Sequence, residues 1–521
     1  MGQRVRDLIL QRPAFVFVGF VALHVLLWVL IPALVDVNAP PDVVEGHAWG
    51  HEWPLGTYKH PPLQAWILEG AAVLTGHWAR VHLLLTQLAV AVTFWAVWST
   101  GRRIVGEIPA LLSVLVLDGL TYYTIDTPQY NPLNPNVVQM MFCALMIRYL
   151  YVALQDNRTR DWLILGLVSA GGLYGKYSTA LLLAVFVAWA IFRPEGRARL
   201  REKGPYLAAG LCLVLFIPHL VWLVEHQFLP FAYTSDRLQD RTAFPSFLTA
   251  PLEFAVGEVG KLLPVLALFS VAAFRGPRSP RPEVPPSVST EDKAFFDYVV
   301  LGPPLILAVL SSLGGFTVHH LWTTALWSYL GLWGALRWPL KTDASCLKIF
   351  ASIWGGIFLL GLGGYAVSEV GAPYLNDRPR RVLFPGAEMS DVLEKAWHDH
   401  EGPSPLPYVI GTTWLAGNVS LYGADHPRVF IDADEAKTPT ITTQDVLAKG
   451  GMVIWCVANC FDRADITLTA EGVAQRFPRA IQQEPLTLRW ATSAPLPPAV
   501  LGWALLPSQK EPTPLHVQET R

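Results

Sequence analysis

Two acidic residues open the most polar stretch of this sequence. Asp42 and Glu45 follow Pro40-Pro41 and stand three residues apart. The prolines suit the start of a helix, where the helix dipole favours an acid, and the spacing puts both carboxylates on one helical face. A carboxylate held in this way can act as a general base. The alternative is that these acids only stabilise the start of a helix.

Two cationic side chains follow these acids. Lys59 and His60 precede the stiff sequence Pro61-Pro62-Leu63. A lysine and a histidine together can bind a phosphate group, the lysine as a point charge and the histidine as a hydrogen-bond donor. The alternative is that both side chains only reach from the membrane interface towards water.

More polar side chains lie where long apolar runs end. Ionisable groups near the membrane plane are costly and mark functional sites by default, although a lone histidine there more often only ends a helix. The histidines show no His-Glu-x-x-His spacing, so we predict no zinc site. Together with the first stretch, the candidates for substrate binding are Lys59, His60, Tyr130, Asn136, Lys176, His219, His226, Arg237 and His320.

The elements that must position these side chains are helices within a membrane. Of the 521 residues, 52% are hydrophobic and only 15% are charged, whereas soluble domains average about 25% charged residues. Many apolar runs of about 20 residues predict a polytopic α-helical membrane protein. These apolar runs make the lipid bilayer the expected environment. No basic run is suited to nucleic acid. We predict about 11 transmembrane helices, near 14–35, 80–100, 107–125, 137–154, 161–174, 177–192, 206–225, 253–273, 297–313, 320–337 and 347–370.

The basic residues predict the orientation of these helices. Lys and Arg gather in one set of alternate loops, above all at 193–203 and 275–293, and are sparse in the other set. By the positive-inside rule, the first set and the N-terminus are cytoplasmic. The two acids, Lys59, His60 and everything after 370 are then on the exterior side.

The composition changes from about residue 375. Apolar runs shorten, and alternating patterns at 408–411, 428–431 and 452–457 predict strands, while 391–400 predicts an amphipathic helix. We therefore predict a transmembrane catalytic domain over 1–372 and an exterior soluble α/β domain over 373–521. An oxidising exterior permits a disulfide between Cys456 and Cys460. Because an extended strand would hold them too far apart, that pairing needs a turn and stays open.

The motifs, in this topology, resemble those of bacterial GT-C class glycosyltransferases that depend on polyprenyl-phosphate sugars. The class includes the protein O-mannosyltransferase-like family (glycosyltransferase family 39), the aminoarabinose transferases of lipid A and the galacturonosyl transferases of rhizobial lipopolysaccharide. Its members carry an Asp-Glu pair in the first exterior loop, followed by a His-Pro-Pro-Leu or Lys-Pro-Pro-Leu element. Here His60-Pro61-Pro62-Leu63 matches that element, Asp42 matches the aspartate, and Val43 stands in place of the neighbouring acid.

Later segments also look like family positions. The stretches at 172–177, 218–222 and 318–322 match elements that contain Lys176, His219 and His320. In the second exterior loop, the family's Ser/Thr-Pro-Asp signature reads Asn-Pro-Asn, so that Asn136 replaces the acid. The resemblance covers roughly residues 10–370.

The resemblance implies a GT-C fold and an inverting glycosyltransferase. The enzyme would move a sugar from a polyprenyl-phosphate donor to an acceptor of the bacterial envelope, with lipid A, polysaccharide, lipid and protein all open. It would act at the periplasmic face of the inner membrane and require no cofactor, although a divalent metal is possible. Asp42 would be the base, with Glu45 the weaker candidate. The cations for the leaving phosphate would be Lys59, His60, Lys176 and Arg237.

Two other classes of function compete with this interpretation. A transporter or flippase also has many spans and polar groups, but transporters usually carry ionisable residues at mid-membrane and two related halves. Here the polar groups gather at one face, and no related halves are visible in the sequence. A non-catalytic partner in polysaccharide assembly would tolerate Val43 and Asn136 in place of acids.

Overall fold

The structure is a computed structural model of the chain and describes residues 9–129, 132–239, 246–274, 288–314, 320–338, 340–376, 378–461 and 468–509. Within this part of the chain, seven helices are long and apolar enough to cross a membrane. They are Pro13–Val35, Val81–Ile104, Pro135–Asp156, Gly204–Glu225, Ala255–Ala273, Thr290–Leu313 and Ser345–Asn376.

The remaining helices are shorter or more polar. Three of them are apolar, namely Leu63–Thr75, Glu107–Leu117 and Thr179–Phe192. The others are Pro41–Gly50, Asp126–Gln129, Thr159–Gly175, Pro194–Arg199, Leu229–Gln239, Leu330–Ala335, Gly386–Glu401, Thr413–Tyr422, Thr443–Lys449 and Ala470–Arg476, with 3-10 turns at Thr121–Tyr123, His320–Trp327 and Arg381–Leu383.

The predicted helical membrane fold is confirmed, and the count of about 11 spans stays a prediction. The segment predicted as a span at 320–337 is a 3-10 turn followed by a six-residue helix, Leu330–Ala335. Within this segment, the Thr323 hydroxyl and the Trp327 indole N–H both donate to the buried carboxylate of Glu258.

The chain forms two compact units that interleave in sequence. The first contains Met1–Val35, Leu55–Ile67 and Arg80–Ser368, and the second contains Asp36–Pro54, Leu68–Ala79 and Glu369–Arg521. Part of the first polar loop thus belongs to the same unit as the C-terminal sheet.

Close helix packing and buried polar pairs hold the first unit together. Gly166 allows one close approach, since a Cβ there would lie 2.5 Å from the carbonyl oxygen of Ala208, and small residues are favoured where membrane helices touch. His24 and Asp118 pair at 2.9 Å with side chains only 1% exposed, and Trp354 donates to the same carboxylate at 2.9 Å. A charged group within hydrocarbon needs such partners.

The second unit contains a six-stranded mixed sheet, which confirms the predicted α/β character. Its strands are β1 (Tyr408–Gly411), β2 (Arg428–Ile431), β3 (Gly451–Ala458), β4 (Ile481–Gln482), β5 (Leu486–Leu488) and β6 (Ala499–Leu506). The order is β2-β1-β3-β6-β4, and β5 also pairs with β6. β1 runs parallel to β2 and β3, while β6 is antiparallel to its partners. Tyr408, Ile410, Phe430, Val453 and Phe477 lie in its core.

A turn after β3 settles the open question about the cysteines. Cys456 and Cys460 form a disulfide with their Cα atoms 5.7 Å apart. Asn459 between them has a φ of 57°, a left-handed conformation that asparagine tolerates better than most residues. This residue turns the chain back so that the two sulfur atoms meet.

Candidate functional site

The first polar loop begins with a helix, as the prolines predict. The acid helix, Pro41–Gly50, starts directly after Pro40 and carries Asp42 in its first turn. Val43 and Val44 are fully buried, whereas Asp42 and Glu45 are half-buried. The position where the family has its second acid is therefore an apolar anchor, and the neighbouring Asp42 keeps a carboxylate nearer the surface of the unit.

The acid helix packs on the C-terminal part of its own unit. Gly417, in the helix Thr413–Tyr422, is needed for this contact, since a Cβ there would lie 2.7 Å from Val44. Just before the acid helix, the backbone N–H of Ala39 donates to the Tyr422 hydroxyl at 2.6 Å. The sheet-containing unit thus fixes the position of Asp42.

A tight turn presents Lys59 and His60 within the first unit. The Thr57 hydroxyl oxygen accepts from the backbone N–H of His60 at 3.0 Å and from that of Lys59 at 3.3 Å, and Thr57 N–H donates to the His60 carbonyl at 3.2 Å. The Lys59 ammonium lies 5.1 Å from the ring centre of Tyr58 and 5.5 Å from that of Tyr233. The lysine is thus a positioned cation beside two aromatic rings.

A histidine joins this turn to a second lysine-bearing segment. His219 is fully buried, and its Nδ1 donates to the carbonyl oxygen of Leu55 at 2.7 Å. Its Nε2 lies 2.9 Å from the Tyr177 hydroxyl. Because a carbonyl oxygen only accepts, Nδ1 carries the proton and Nε2 accepts from Tyr177.

Packing around His219 also fixes the Lys59 turn. Trp222 stacks parallel to the His219 ring and to that of His226, with ring centres 5.9 and 4.3 Å apart. Gly56 lies against the same indole, and a Cβ there would fall 2.2 Å from the Trp222 ring. The loop can therefore reach this indole only with glycine at position 56.

Lys176, which precedes Tyr177 in the sequence, forms a hydrogen bond with the side-chain amide of Asn136. Lys176 follows the helix Thr159–Gly175, and its Nζ donates to Oδ1 of Asn136. Asn136 stands in the first turn of the helix Pro135–Asp156, which Asn134 caps by accepting from the N–H groups of Asn136 and Val137. Beside Lys176, the Tyr177 hydroxyl is the group that donates to Nε2 of His219.

Three predicted substrate-binding residues lie wholly or partly outside the described part of the structure. Tyr130 lies outside the described residues. Arg237 is in the helix Leu229–Gln239 and His320 begins the 3-10 turn His320–Trp327, but their side chains also fall outside the described part.

Sequence reasoning missed a second polar network in the first unit. Glu258 is buried and accepts from Thr323 at 2.8 Å and from Trp327 at 2.5 Å, and Lys261 donates to the Tyr122 hydroxyl. The sequence signal for this network was an acid and a lysine three residues apart within the apolar run 253–273. Ionisable residues inside a membrane span are costly, so they are expected to be functional or paired with one another. Tyr177 was also missed, although it directly follows Lys176.

Comparisons with known proteins reveal a related family and fold. Residues 59–222 match the profile of a family described as dolichyl-phosphate-mannose-protein mannosyltransferase. The chain is 24% identical over 437 residues to the lipopolysaccharide core galacturonosyltransferase RgtB of Rhizobium johnstonii, covering 79% of this chain and 85% of that protein. It is 22% identical over 224 residues to the lipid A galacturonosyltransferase RgtD of the same organism, covering 42% and 45%.

A solved structure extends the likeness to nearly the whole chain. The crystal structure of ArnT from Cupriavidus metallidurans bound to undecaprenyl phosphate superimposes with a TM-score of 0.56 at 13% sequence identity. The alignment covers 94% of this chain and 98% of that one. This likeness confirms the fold that the sequence motifs implied, a helical membrane part with a C-terminal sheet-containing part.

Proposed function

We propose that this GT-C class glycosyltransferase moves a galacturonosyl group from a polyprenyl-phosphate donor to a lipopolysaccharide acceptor. The GT-C fold is shared with a protein solved with undecaprenyl phosphate bound, and two relatives are named galacturonosyltransferases of the lipopolysaccharide core and of lipid A. No transporter is among these relatives, so the competing transporter interpretation gains no support from them.

One observation carries the assignment to chemistry at a lipid phosphate. His219 bonds to Leu55 on one side and to Tyr177 on the other, so a single side chain ties the turn that presents Lys59 to the segment that presents Lys176. The helix Leu229–Gln239 contacts both parts, because Tyr233 lies against Tyr58 at 5.8 Å and Phe231 lies against Tyr177 at 4.9 Å between ring centres.

These cations would act on the leaving group. As the bond between the anomeric carbon and the phosphate oxygen breaks, its electron pair passes to the phosphate. Lys59, His60 and Lys176 would stabilise that charge through charge-assisted hydrogen bonds, and Arg237 is a fourth candidate. Asn136, as the hydrogen-bond partner of Lys176, would orient the lysine.

The acceptor hydroxyl needs a base. Asp42 would take its proton as the oxygen attacks the anomeric carbon from the face opposite the phosphate, which inverts that carbon in one displacement. Glu45 is the second candidate, one turn further along the acid helix. No metal or other cofactor enters this scheme.

The proposed location follows from the charge distribution of the loops. The N-terminus would be cytoplasmic, and Asp42, Lys59 and the C-terminal sheet would face the periplasm. In this arrangement a multi-pass protein of the bacterial inner membrane meets its lipid donor in the bilayer and its lipopolysaccharide acceptor before export.

The test is transfer in vitro with purified full-length protein. We expect galacturonic acid to pass from a polyprenyl-phosphate donor to lipid A or core lipopolysaccharide, detected as a mass increase of the acceptor. Asp42→Asn should reduce turnover by about 100-fold or more. Asp399→Asn is the matched control, because Asp399 is an exposed acid that pairs only with Lys395 among the contacts described for it.

The two parts of the proposal fail separately. Wild-type protein that transfers nothing from any uronosyl donor contradicts the substrate assignment. Wild-type transfer that Asp42→Asn leaves at full rate contradicts the base assignment alone.

A further inference from the structure

Four histidines and one glutamate of the second unit line one small cavity. They are His47, His51, Glu69, His77 and His426. The cavity volume is about 10 Å³, which is room for one water molecule or one ion. The proposed sugar transfer uses none of these five side chains.

His47 is the innermost of these groups. It is 5% exposed, and its Nε2 is buried with no hydrogen-bond partner among the described residues. A neutral imidazole offers a nitrogen lone pair to a metal ion.

His426 is oriented as metal-binding histidines are. Its Nδ1 donates to the carbonyl oxygen of Ser420 at 3.1 Å, which leaves the lone pair on Nε2. Histidine ligands of metals almost always make this kind of second bond, because it fixes the tautomer and the direction of the ring.

The rings of His77 and His426 are in contact, and both residues have positive backbone φ angles. Their rings stack with centres 3.9 Å apart, and their φ angles are 59° and 45°. Positive φ is uncommon outside glycine, costs free energy and concentrates at functional sites. Two residues far apart in sequence thus both adopt strained conformations at the point where their rings face each other.

Glu69 supplies the negative charge that a cation requires. It is 6% exposed, and its carboxylate lies 3.7 Å from Nδ1 of His51. His51 and His77 are themselves half-exposed, so their rings have room to turn.

The sequence shows no His-Glu-x-x-His spacing and therefore predicts no zinc site, but the fold brings histidines of separate segments together. We propose that this histidine cluster binds one divalent transition-metal cation of the Zn²⁺ type. Imidazole nitrogens with a carboxylate are the donor set that such cations prefer over Mg²⁺ or Ca²⁺. Among the described residues, no three histidine, cysteine, aspartate or glutamate side chains already stand in an arrangement that holds a metal ion. Binding therefore requires two ring movements. The His77 ring must leave its stack on His426, because the in-plane lone pairs of two nearly parallel rings do not converge on one ion, and the His51 ring, now beside Glu69, must turn towards His47.

Metal content measures this site independently of sugar transfer. The full-length chain, freed of any histidine tag and treated with chelator, is equilibrated with ZnCl₂ at neutral pH, dialysed and analysed by inductively coupled plasma mass spectrometry. We expect one zinc ion per chain. His47→Gln and His77→Gln should each weaken zinc affinity by about tenfold or more.

A matched variant and a folding measurement complete the test. His400→Gln should bind zinc as the wild type does, because His400 lies in the same unit but contacts Glu401 instead of the cluster. Hydrogen exchange over residues 41–54 shows whether His47→Gln keeps its fold. If it does not, His77→Gln provides the test, because His77 is half-exposed. Absence of bound zinc in the wild type overturns the proposal, and so does equal zinc binding by His77→Gln, which would indicate an adventitious ion only.

Discussion

Arg428 donates two hydrogen bonds to the carboxylate of Glu52, with nitrogen–oxygen distances of 2.5 and 2.6 Å. Glu52 stands two residues after the acid helix, and Arg428 begins strand β2. The same guanidinium donates to the Tyr408 hydroxyl at 2.8 Å. This fork-to-fork pair fastens the end of the Asp42-bearing segment to the sheet of the second unit.

The first prediction concerns that pair. Arg428→Lys keeps the charge but cannot form two parallel hydrogen bonds. We expect it to lower the free energy of unfolding of the second unit by about 1–2 kcal/mol and to speed hydrogen exchange over 41–54. Lys395→Ala is the control, because its pairing with Asp399 is solvent-exposed. Unchanged exchange over 41–54 in Arg428→Lys would mean that the ion pair does not hold the segment.

The second prediction concerns the Tyr177 hydroxyl, which donates a hydrogen bond to Nε2 of His219. Tyr177→Phe removes only this oxygen and leaves Nε2 of a buried imidazole without its donor. We expect turnover at low donor concentration to fall by about tenfold, since a lost buried hydrogen bond is worth about 1–2 kcal/mol.

A second tyrosine provides the comparison for this change. Tyr206→Phe also loses one hydroxyl bond, to the carbonyl of Leu200, but Tyr206 is exposed and stands outside the His219 network. If both variants lose turnover equally, the effect is not specific to His219.

The third prediction concerns the glycine beneath Trp222. Gly56→Ala places a methyl group where the indole lies, so the Lys59 turn must shift. We expect donor affinity to fall by about tenfold or more while the helices stay folded, measured as KM and by circular dichroism. Gly210→Ala is the matched control, because a Cβ at Gly210 meets nothing within 4 Å and alanine suits a helix better than glycine.

The fourth prediction concerns pH. The hydrogen bond from Tyr408, together with the pairing to Lys449 at 3.0 Å, lowers the pKa of Asp445. A carboxyl whose pKa is lowered on folding stabilises the fold above its unfolded pKa, and this contribution is lost as the pH falls through the folded value. Asp445→Asn should therefore lower the melting temperature at pH 7, by the equivalent of about 1 kcal/mol or less because the group is exposed.

The difference should vanish in acid. The difference in melting temperature between wild type and Asp445→Asn, followed by tryptophan fluorescence, should begin to shrink below the ordinary carboxyl pKa of about 4 and disappear once the pH is below the lowered pKa of the folded state. A constant difference from pH 7 to pH 3 would contradict the assigned role of the ionised carboxylate. Glu471→Gln is a control, because Glu471 is an acid in the first turn of another helix of the same unit.

The class and the broad fold were determined by the sequence alone. Low charge and long apolar runs demand membrane helices whatever their packing, and the alternating patterns at 408–411 and 428–431 give two strands of the sheet. The prolines before Asp42 placed the start of the acid helix, because their effect on the backbone is local. The resemblance to the GT-C class came from His60-Pro61-Pro62-Leu63 together with the upstream Asp42 in the predicted topology. Each of these signals is a pattern along the sequence.

Only the tertiary structure decided which distant side chains meet. Glu52 and Arg428 are 376 residues apart, and His219 bonds to a carbonyl 164 residues earlier. Glu258 likewise bonds to residues far from it in the sequence, and the cluster of His47, His77 and His426 combines residues of separate segments. No spacing along the chain encodes such contacts, because they depend on how helices and loops pack after each has formed. Local propensity therefore determined the elements of this protein, and non-local packing determined the partners of its polar groups.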